Sequence, residues 1–295
     1  MATITKSTKF PAQLVTEMFN AVKGHSSIAK MVAEEPIPFV GKDVFTFNFA
    51  SDVSVVGEGA AKPAGDGAAT PVQIRPVKVV YQMRVSDEFV YAAEETRLQY
   101  LQAFADGFSK KLAAGLDKMA MHGINPATGS ASSVIGNNHL DYAIANYNSG
   151  SNVVTYTTGT DDPDAKIDAA IGKVEEPNGV IISKAMRGDI AAMTTTDGGR
   201  KYPEFAWGAT PNELGGMMLD SNTTAGADYA IVGDWNAFKW GFAKEMPLEV
   251  IEYGNPDGGT YDLKRANEVL LRSEAFIGWG ILNPADFSKV VAPSS

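Results

Sequence analysis

The sequence predicts an α+β fold in which an extended β-ribbon and one very long helix stand beside a compact region of alternating helices and strands. Phe45, Phe47 and Phe49 alternate along a strand that precedes a tip rich in glycine and alanine at residues 57–67. A second alternating strand follows at residues 79–85, and apolar residues then recur every three or four positions over residues 95–122. Because a lone two-stranded ribbon of this length is marginal in water, we expect it to lie on another copy of the chain.

The composition is that of an ordinary globular protein. Of 295 residues, 44% are hydrophobic and 20% are charged. Cysteine is absent, so we expect neither disulfides nor thiolate metal sites, which suits a reducing cytoplasm. The sequence contains no run of about 18 apolar residues, so it predicts no membrane-spanning helix. The N-terminal residues lack the apolar stretch of a secretory signal.

The charge of the chain argues against tight binding of nucleic acid. Lys and Arg total 25 against 35 Asp and Glu, which gives a net charge of −10. The densest basic spots are the pairs Lys110-Lys111 and Lys264-Arg265, and both are expected to be solvated surface. DNA affinity comes chiefly from contacts of Lys and Arg with phosphates. A protein that encloses DNA without binding it tightly therefore has the same excess of acidic residues.

The first segment of the chain, residues 1 to about 35, is predicted to be an extended arm followed by a short helix. Pro11 suits the first turn of that helix, and Pro36 and Pro38 begin an extended segment.

The long helix is predicted over about 95–122, with Gly123 as its C-cap residue. Gly107 and Gly115 inside it each weaken the helix, so something is expected to pack closely at both positions. Its predicted core face consists of Leu98, Leu101, Phe104, Phe108, Leu112, Leu116 and Met119.

Residues 152–261 are predicted to alternate helices with short strands. The expected elements are a helix beginning near residue 162, a strand at 179–183, a helix at 186–193 and strands at 229–232 and 248–251. A long final strand is expected at 269–279.

No constellation in the sequence predicts catalysis, a cofactor or a metal. His25, His122 and His139 lack the short spacing of zinc ligands, and His122 suits the negative end of a helix. Asp161, Asp162 and Asp164 are better explained as a helix cap than as a calcium site. Pro63 after Lys62 argues against a phosphate-binding loop, and the four Trp residues are expected in the core.

The order of these features resembles the major capsid proteins of tailed double-stranded-DNA bacteriophages, which have the Hong Kong 97-like fold. The tip at residues 56–63 is similar to that family's Glu-Gly-x-x-Lys-Pro hairpin entry. The strand at 79–90 leads into an acidic short helix and then the spine helix, which ends at Met121-His122-Gly123. The loop at 197–202 resembles the loop after the family's axial-domain helix. The strand from residue 272, with its Asn-Pro-x-x-Phe ending at 283–287, resembles the last strand of the family's peripheral domain.

The resemblance implies four parts. These are an N-terminal arm (1–49), an extended hairpin or E-loop (50–77), a peripheral domain (78–145 and 262–295) with the spine helix at about 95–122, and an axial domain (146–261). Such subunits form hexamers and pentamers of an icosahedral head that encloses packaged DNA without sequence-specific binding. The implied location is the virion capsid, assembled in the host bacterial cytoplasm, with no membrane partner.

The resemblance also implies partner proteins and contact residues. The partners are other copies of the chain, a portal protein and, as a further class, decoration proteins. Because the hairpin begins near residue 50, we expect scaffolding to come from a separate protein or to be unnecessary. Lys62 is placed for an isopeptide bond to a neighbour, although a salt bridge is the simpler expectation. The predicted inter-subunit contacts are Phe45, Phe47, Glu58, Lys62, Arg75, Lys78 and Arg84.

Two alternatives remain at this stage. An encapsulin, the shell of a bacterial protein compartment, has a similar fold, but the Glu-Gly-x-x-Lys-Pro tip favours the phage proteins. A soluble α+β enzyme with an acidic pair in the second region is the other alternative, and the lack of a convergent His, Ser or metal pattern weighs against it.

Overall fold

The computed structural model describes residues 22, 24–49, 51–92, 94–224, 226, 229–244 and 248–293. Its helices are α1 (Ser27–Met31), α2 (Glu88–Tyr91), α3 (Glu94–His122), α4 (Leu140–Asn146), α5 (Pro163–Ile171), α6 (Lys184–Ala192) and α7 (Leu263–Ala266). Its strands are β1 (Lys42–Phe49), β2 (Gly67–Ile74), β3 (Val77–Ser86), β4 (Val153–Thr155), β5 (Gly179–Ser183), β6 (Glu213–Leu214), β7 (Met217–Asn222), β8 (Ala230–Gly233), β9 (Phe238–Lys244), β10 (Leu248–Ile251), β11 (Glu268–Ile281) and β12 (Phe287–Val291). The mixed helix and sheet content confirms the predicted α+β class.

The strands form a ribbon and two sheets. The ribbon is the antiparallel pair β1–β2, in register from Lys42 opposite Ile74 to Phe49 opposite Gly67. In the first sheet, β11 lies between β3 on one side and both β10 and β9 on the other. The second sheet has the order β4-β12-β8-β5-β7-β6. The strand β11 is therefore the centre of the first sheet.

The second strand of the ribbon was wrongly predicted at residues 79–85. Those residues belong to β3, which pairs with β11, whereas the partner of β1 is β2 at 67–74. The ribbon thus spans 42–74 rather than 50–77. The alternation of residues identifies a strand but not its partner, since any sheet edge satisfies a period of two.

The pairing of three further strands does not follow the predicted domain bounds. β9 and β10, expected in the axial domain, pair with β11 in the first sheet. β12, expected in the peripheral domain, lies between β4 and β8 in the second sheet. Short strands near a domain boundary carry no local signal for either sheet, because pairing over long sequence distances decides the matter.

The spine helix α3 spans 29 residues, and its apolar face lies in the main core with β11. Leu101, Phe104, Phe108, Leu112, Leu116 and Met119 are all buried, whereas the side chain of Leu98 lies outside the described residues. Gly123, with φ +67°, ends the helix as expected, and its amide binds the carbonyl of Met119 at 2.9 Å.

The two glycines inside the spine helix have different surroundings. A Cβ at Gly115 would lie 3.4 Å from Pro126, so a close neighbour is present there. In the described part of the chain nothing lies within 4 Å of a Cβ at Gly107. The expectation of close packing is therefore wrong for Gly107 within one subunit.

The described part of the arm lies against β9. The amide of Glu35 donates to Trp240 at 2.9 Å, and that of Ile37 donates to Phe242 at 3.2 Å. Gly241 lies between them, and a Cβ there would overlap the carbonyl of Glu35. The helix predicted after Pro11 falls outside the described residues, apart from Val22 at its expected end.

The chain passes between the two sheets three times, once from β3 through the spine helix to β4 and twice by short neighbouring crossings, from β8 to β9 and from β11 to β12. The amide of Asp234 in one short crossing donates to the backbone carbonyl of Asp286 in the other at 2.9 Å. The amide of Leu282 donates to the backbone carbonyl of Ala237 at 2.8 Å. A Cβ at Gly233 would overlap the ring of Phe287. The two short crossings are thus hydrogen-bonded and packed against each other.

Candidate assembly surfaces

The ribbon is held to the subunit at its base by Ile74. This side chain is 1% exposed and packs on two glycines of β11. A Cβ at Gly278 would lie 3.3 Å from Ile74, and one at Gly280 would lie 2.7 Å from it. Because glycine has no side chain, β11 accepts the isoleucine and so fixes where the ribbon leaves the body.

Beyond this base, the ribbon carries exposed apolar side chains. Phe45 is 62% and Phe47 68% exposed on one face of β1. Every residue from 51 to 67 is exposed, and Val53 and Val55 are fully so. Contiguous exposed apolar surface is typical of an interaction site.

A groove of about 670 Å³ runs between β3 and the spine helix. Tyr81 of β3 contacts Phe104 and Phe108 of the helix, with ring centroids 6.0 and 6.4 Å apart. Val134, which also lines the groove, is 76% exposed. The groove lining includes Val77, Val79, Phe108, Leu112, Met119 and Ile135, so it offers an apolar surface open to a partner.

The ribbon tip and the groove carry opposite charge. Residues 51–67 contain Asp52, Glu58 and Asp66 against the single cation Lys62. Lys78 and Lys111 are the charged residues among those that line the groove. Lys78 also pairs with Glu274 at 2.8 Å in its own subunit, with half of its side chain still exposed. The two surfaces are complementary in both charge and apolar character.

The structure places the predicted contact residues in different settings. Phe45, Phe47, Glu58 and Lys62 lie on the ribbon and its tip and are exposed. Arg75, just after β2, is exposed, and its Nε donates to Gln73 at 2.6 Å.

Arg84 is bound within its own chain by two carboxylates, and its contact with another subunit stays a prediction. Its Nε and Nη2 donate to the two carboxylate oxygens of Asp257 at 2.7 and 2.6 Å, and its Nη1 donates to Glu268 at 3.0 Å. The hydrogen bonds from Arg84 hold the pKa of Asp257 below its usual range. Arg84 therefore holds the loop between β10 and α7 against β3.

The end of the spine helix carries a polar network that the sequence did not predict. His122 Nδ1 lies 2.6 Å from Asp141 Oδ2, and Asp141 Oδ1 accepts from Tyr229 at 2.6 Å and Lys289 at 3.0 Å. Burial alone would raise the pKa of Asp141, but the bond to His122 and the charge of Lys289 lower it to about 2. The network ties helix α3 to the second sheet, and its members are too far apart in sequence to be recognised together.

Two of the acidic residues at the start of α5, Asp161 and Asp164, pair with lysines. Asp162 is the N-cap residue but its side chain makes no capping bond. Asp161 pairs with Lys166 at 3.3 Å, and Asp164 contacts Lys201 and accepts from Tyr202 at 3.0 Å. The predicted cap is therefore wrong for Asp162.

Among the residues that the structure describes, no group of three or more His, Asp and Glu side chains is arranged to hold a metal ion. No helix in the same residues is both long and apolar enough to cross a bilayer.

The comparisons with family models and with solved structures agree on one protein family. The phage capsid family model matches residues 10–292. A solved structure from Mycobacterium phage Ogopogo superimposes with a TM-score of 0.75 and 31% identity, covering 91% of this chain and 92% of that one. A structure from Gordonia phage Cozz has a TM-score of 0.73 and 22% identity, and the match covers 92% of this chain and 87% of that one.

A third similar structure is the capsid of an empty GTA particle, computed with C5 symmetry. It has a TM-score of 0.66 and 13% identity, covering 92% of this chain and 90% of that one, and at this identity it supports the fold alone. No curated protein matches the sequence. The ribbon, spine helix and two sheets have the Hong Kong 97-like architecture of these structures, and the chain belongs to the phage capsid family.

Proposed function

We propose that this chain is the shell subunit of an icosahedral bacteriophage head, and that its ribbon lies in the groove of a neighbouring subunit. The observation that carries the proposal is the ribbon itself, which leaves the body at Ile74 and exposes Phe45, Phe47, Val53 and Val55. A ribbon with such side chains in water is marginal. A neighbour's groove between β3 and the spine helix provides the apolar surface that the ribbon lacks in its own subunit.

The proposed shell consists of hexamers and pentamers in which each subunit both gives a ribbon and receives one. The giving and receiving surfaces differ, and such head-to-tail contacts close into rings when the rotation between subunits permits it. Within one subunit the E-loop is the ribbon at 42–74, the peripheral part is the spine helix with the first sheet, and the axial part is the second sheet with α5 and α6. The proposed contact residues are Phe45, Phe47, Glu58, Lys62, Arg75, Lys78 and Arg84.

The proposed content of the shell is packaged double-stranded DNA, held without sequence-specific binding. A net charge of −10 favours a wall that does not retain DNA, because phosphate binding depends on clustered Lys and Arg. A portal protein and a separate scaffolding protein are proposed partners, and the host cytoplasm is the proposed place of assembly.

The test compares two neighbouring substitutions on the ribbon that add the same charge. Val55→Asp removes a fully exposed apolar side chain, whereas Ser54→Asp places the new carboxylate on an exposed polar residue beside it. Both subunits are expected to fold with the melting temperature of the parent. Only Val55→Asp is expected to abolish shells in size-exclusion chromatography and electron microscopy.

Two further variants examine the other parts of the contact. Val134→Asp in the groove is expected to reproduce the assembly defect of Val55→Asp. Removal of residues 57–66 is expected to leave a soluble, folded subunit that forms no shells. Normal shells from the Val55→Asp variant, or an unfolded protein after removal of the tip, would contradict the proposed ribbon contact.

A further inference from the structure

Trp207 is exposed in a way that sets it apart from the other tryptophans. Its side chain is 100% exposed, whereas Trp235, Trp240 and Trp279 are at most 1% exposed. This corrects the expectation that all four lie in the core. Trp207 lies in the 3₁₀ segment Pro203–Gly208, which follows the loop after α6. Large aromatic side chains of this kind dominate the energetics of protein interfaces.

The backbone holds Trp207 in an unfavourable conformation. Its φ of +57° and ψ of +25° lie in the left-handed region, where a bulky residue is a genuine outlier. The guanidinium of Arg187 binds the carbonyl of Gly208 and lies 3.4 Å from that of Ala209, so the following turn is fixed. An outlier that the surrounding structure maintains is a reason to look for a function at that residue.

A cavity of about 340 Å³ lies in the same part of the subunit, between the second sheet and helices α5 and α6. This volume is at the lower end of the range of about 300–1,000 Å³ for ligand pockets, so it suits one aromatic group. Two carboxylates, Asp164 and Asp168, contribute to its lining. The rest of the lining is mainly apolar and includes Ile167, Ile171, Ile182, Phe205, Leu214 and Met217.

We propose that the indole of Trp207 enters this cavity in a second copy of the chain, an inference that rests on the proposed shell function. The indole has an apolar body and one N–H that can only donate, and the cavity offers an apolar lining with carboxylate acceptors. Asp164 already accepts from Tyr202 at 3.0 Å and contacts Lys201. We therefore assign Asp168, which is exposed, as the acceptor for the indole N–H.

A cross-linking experiment distinguishes a contact between subunits from one within a subunit. The chain contains no cysteine, so Leu214→Cys and Ala209→Cys, the latter at an exposed residue close to the intact Trp207, each introduce a single thiol. A short bis-maleimide added to a mixture of the two variants is expected to give dimers, while each variant alone gives few. A double variant is expected to give a ladder of multimers. A fast-migrating monomer with an internal link, or no dimers from the mixture, would overturn the proposal.

Substitutions at Trp207 measure its part in assembly. Trp207→Gly removes the side chain and tolerates the positive φ, so the subunit is expected to melt at or above the temperature of the parent. The concentration needed for assembly is expected to rise at least tenfold for Trp207→Gly and much less for the aromatic control Trp207→Phe. Equal assembly by Trp207→Gly and the parent would overturn the proposal.

Tryptophan fluorescence gives an independent readout. Burial of the exposed indole is expected to shift the emission of the parent to shorter wavelength on assembly, and the shift should vanish in Trp207→Phe. If the parent forms no shells, the shell function fails, and cross-linked dimers at high concentration still test the Trp207 contact. Dimers then support the contact, and their absence overturns it.

Discussion

The carboxylate of Asp117 on the spine helix accepts a hydrogen bond from the hydroxyl of Ser26 in the arm, at 2.6 Å. It also accepts from the amides of Ser27 and Ile28 at 3.0 and 3.2 Å and from the side chain of Asn222 at 2.8 Å. The spine helix therefore caps the first turn of α1 and joins it to the end of β7. Burial raises the pKa of Asp117 to about 6, although the four hydrogen bonds oppose the rise.

Replacement of Asp117 by alanine is expected to destabilise the subunit strongly. The change leaves four buried donors without this acceptor, and an unsatisfied buried polar group costs about 1–3 kcal/mol. We expect a loss of at least about 3 kcal/mol in the free energy of unfolding, measured by urea denaturation of the unassembled subunit. Asn222→Ala, which removes one of the donors, is the control and should cost less. Equal stability of Asp117→Ala and the parent would show that the arm does not depend on this residue.

The raised pKa of Asp117 predicts a particular dependence of stability on pH. Its ordinary value is 3.8 and its value in the folded chain is about 6, so the folded state binds the proton more tightly. The contribution of Asp117 to stability therefore falls as the pH rises from about 4 to about 6, by up to about 3 kcal/mol. The free energy of unfolding of Asp117→Asn, which does not titrate there, should lack this fall. Parallel curves for the two proteins would contradict the prediction.

Asp141 is expected to act in the opposite direction at lower pH. Its pKa of about 2 lies below the ordinary 3.8, so its contribution is present above pH 4 and is lost as the pH falls towards 2. Asp141→Asn is therefore expected to flatten the acid side of the same stability curve while leaving the fall between pH 4 and 6 unchanged.

Gly241→Ala is expected to displace the arm from β9. The new methyl group would overlap the carbonyl of Glu35, so either the arm or β9 must move. We expect faster proteolysis of residues 33–38 and a lower melting temperature. Gly188→Ala is the control, because a Cβ there meets nothing within 4 Å and alanine favours helix α6 by about 1 kcal/mol. Similar protease sensitivity of Gly241→Ala and the parent would contradict the close approach.

Truncation of the spine helix core is expected to cost stability before it affects assembly. Phe104 and Leu112 are 7% and 2% exposed, so replacement of either by alanine should cost about 2–5 kcal/mol. Tyr91→Ala, at a residue that is 80% exposed, is the control for unfolding experiments on the subunit. A Phe104→Ala subunit as stable as the parent would place this face outside the core.

Salt is expected to promote assembly and DNA is expected not to bind. A net charge of −10 makes subunits repel one another, and salt screens that repulsion over about 10 Å at 0.1 M. Light scattering should therefore show more shells as salt increases, and gel-shift titration should show no binding of duplex DNA at physiological salt. Submicromolar DNA binding, or shells that dissolve on modest addition of salt, would contradict the proposed apolar contacts.

The spine helix and β11 were predictable from sequence because their signals are local and long. The helix was expected at 95–122 and lies at Glu94–His122, and the strand was expected at 269–279 and lies at Glu268–Ile281. The same periodicity could not show that residues 79–85 pair with β11 rather than β1, because the two choices bury the same alternate side chains. Pairing is decided by features such as Ile74 on Gly278 and Gly280, which join distant parts of the chain.

The candidate assembly surfaces were likewise predictable only in part. The exposed ribbon tip was predictable, since residues 57–67 have little side chain to bury. The role of Arg84 was not, because Asp257 and Glu268 approach it from far along the chain. Trp207 was also missed, because the sequence around it does not show that its backbone has a positive φ.

The paired short crossings between the sheets bear on where the proposed shell can adjust its curvature. A hinge requires connections that rotate freely, and here the two short connections brace each other through the Asp234–Asp286 and Ala237–Leu282 backbone hydrogen bonds. The two sheets are therefore expected to turn as one rigid lever. In the proposed shell, any change in curvature is then expected to fall on the segment outside that lever, the ribbon beyond its base at Ile74, which would serve as the mechanical joint between neighbours.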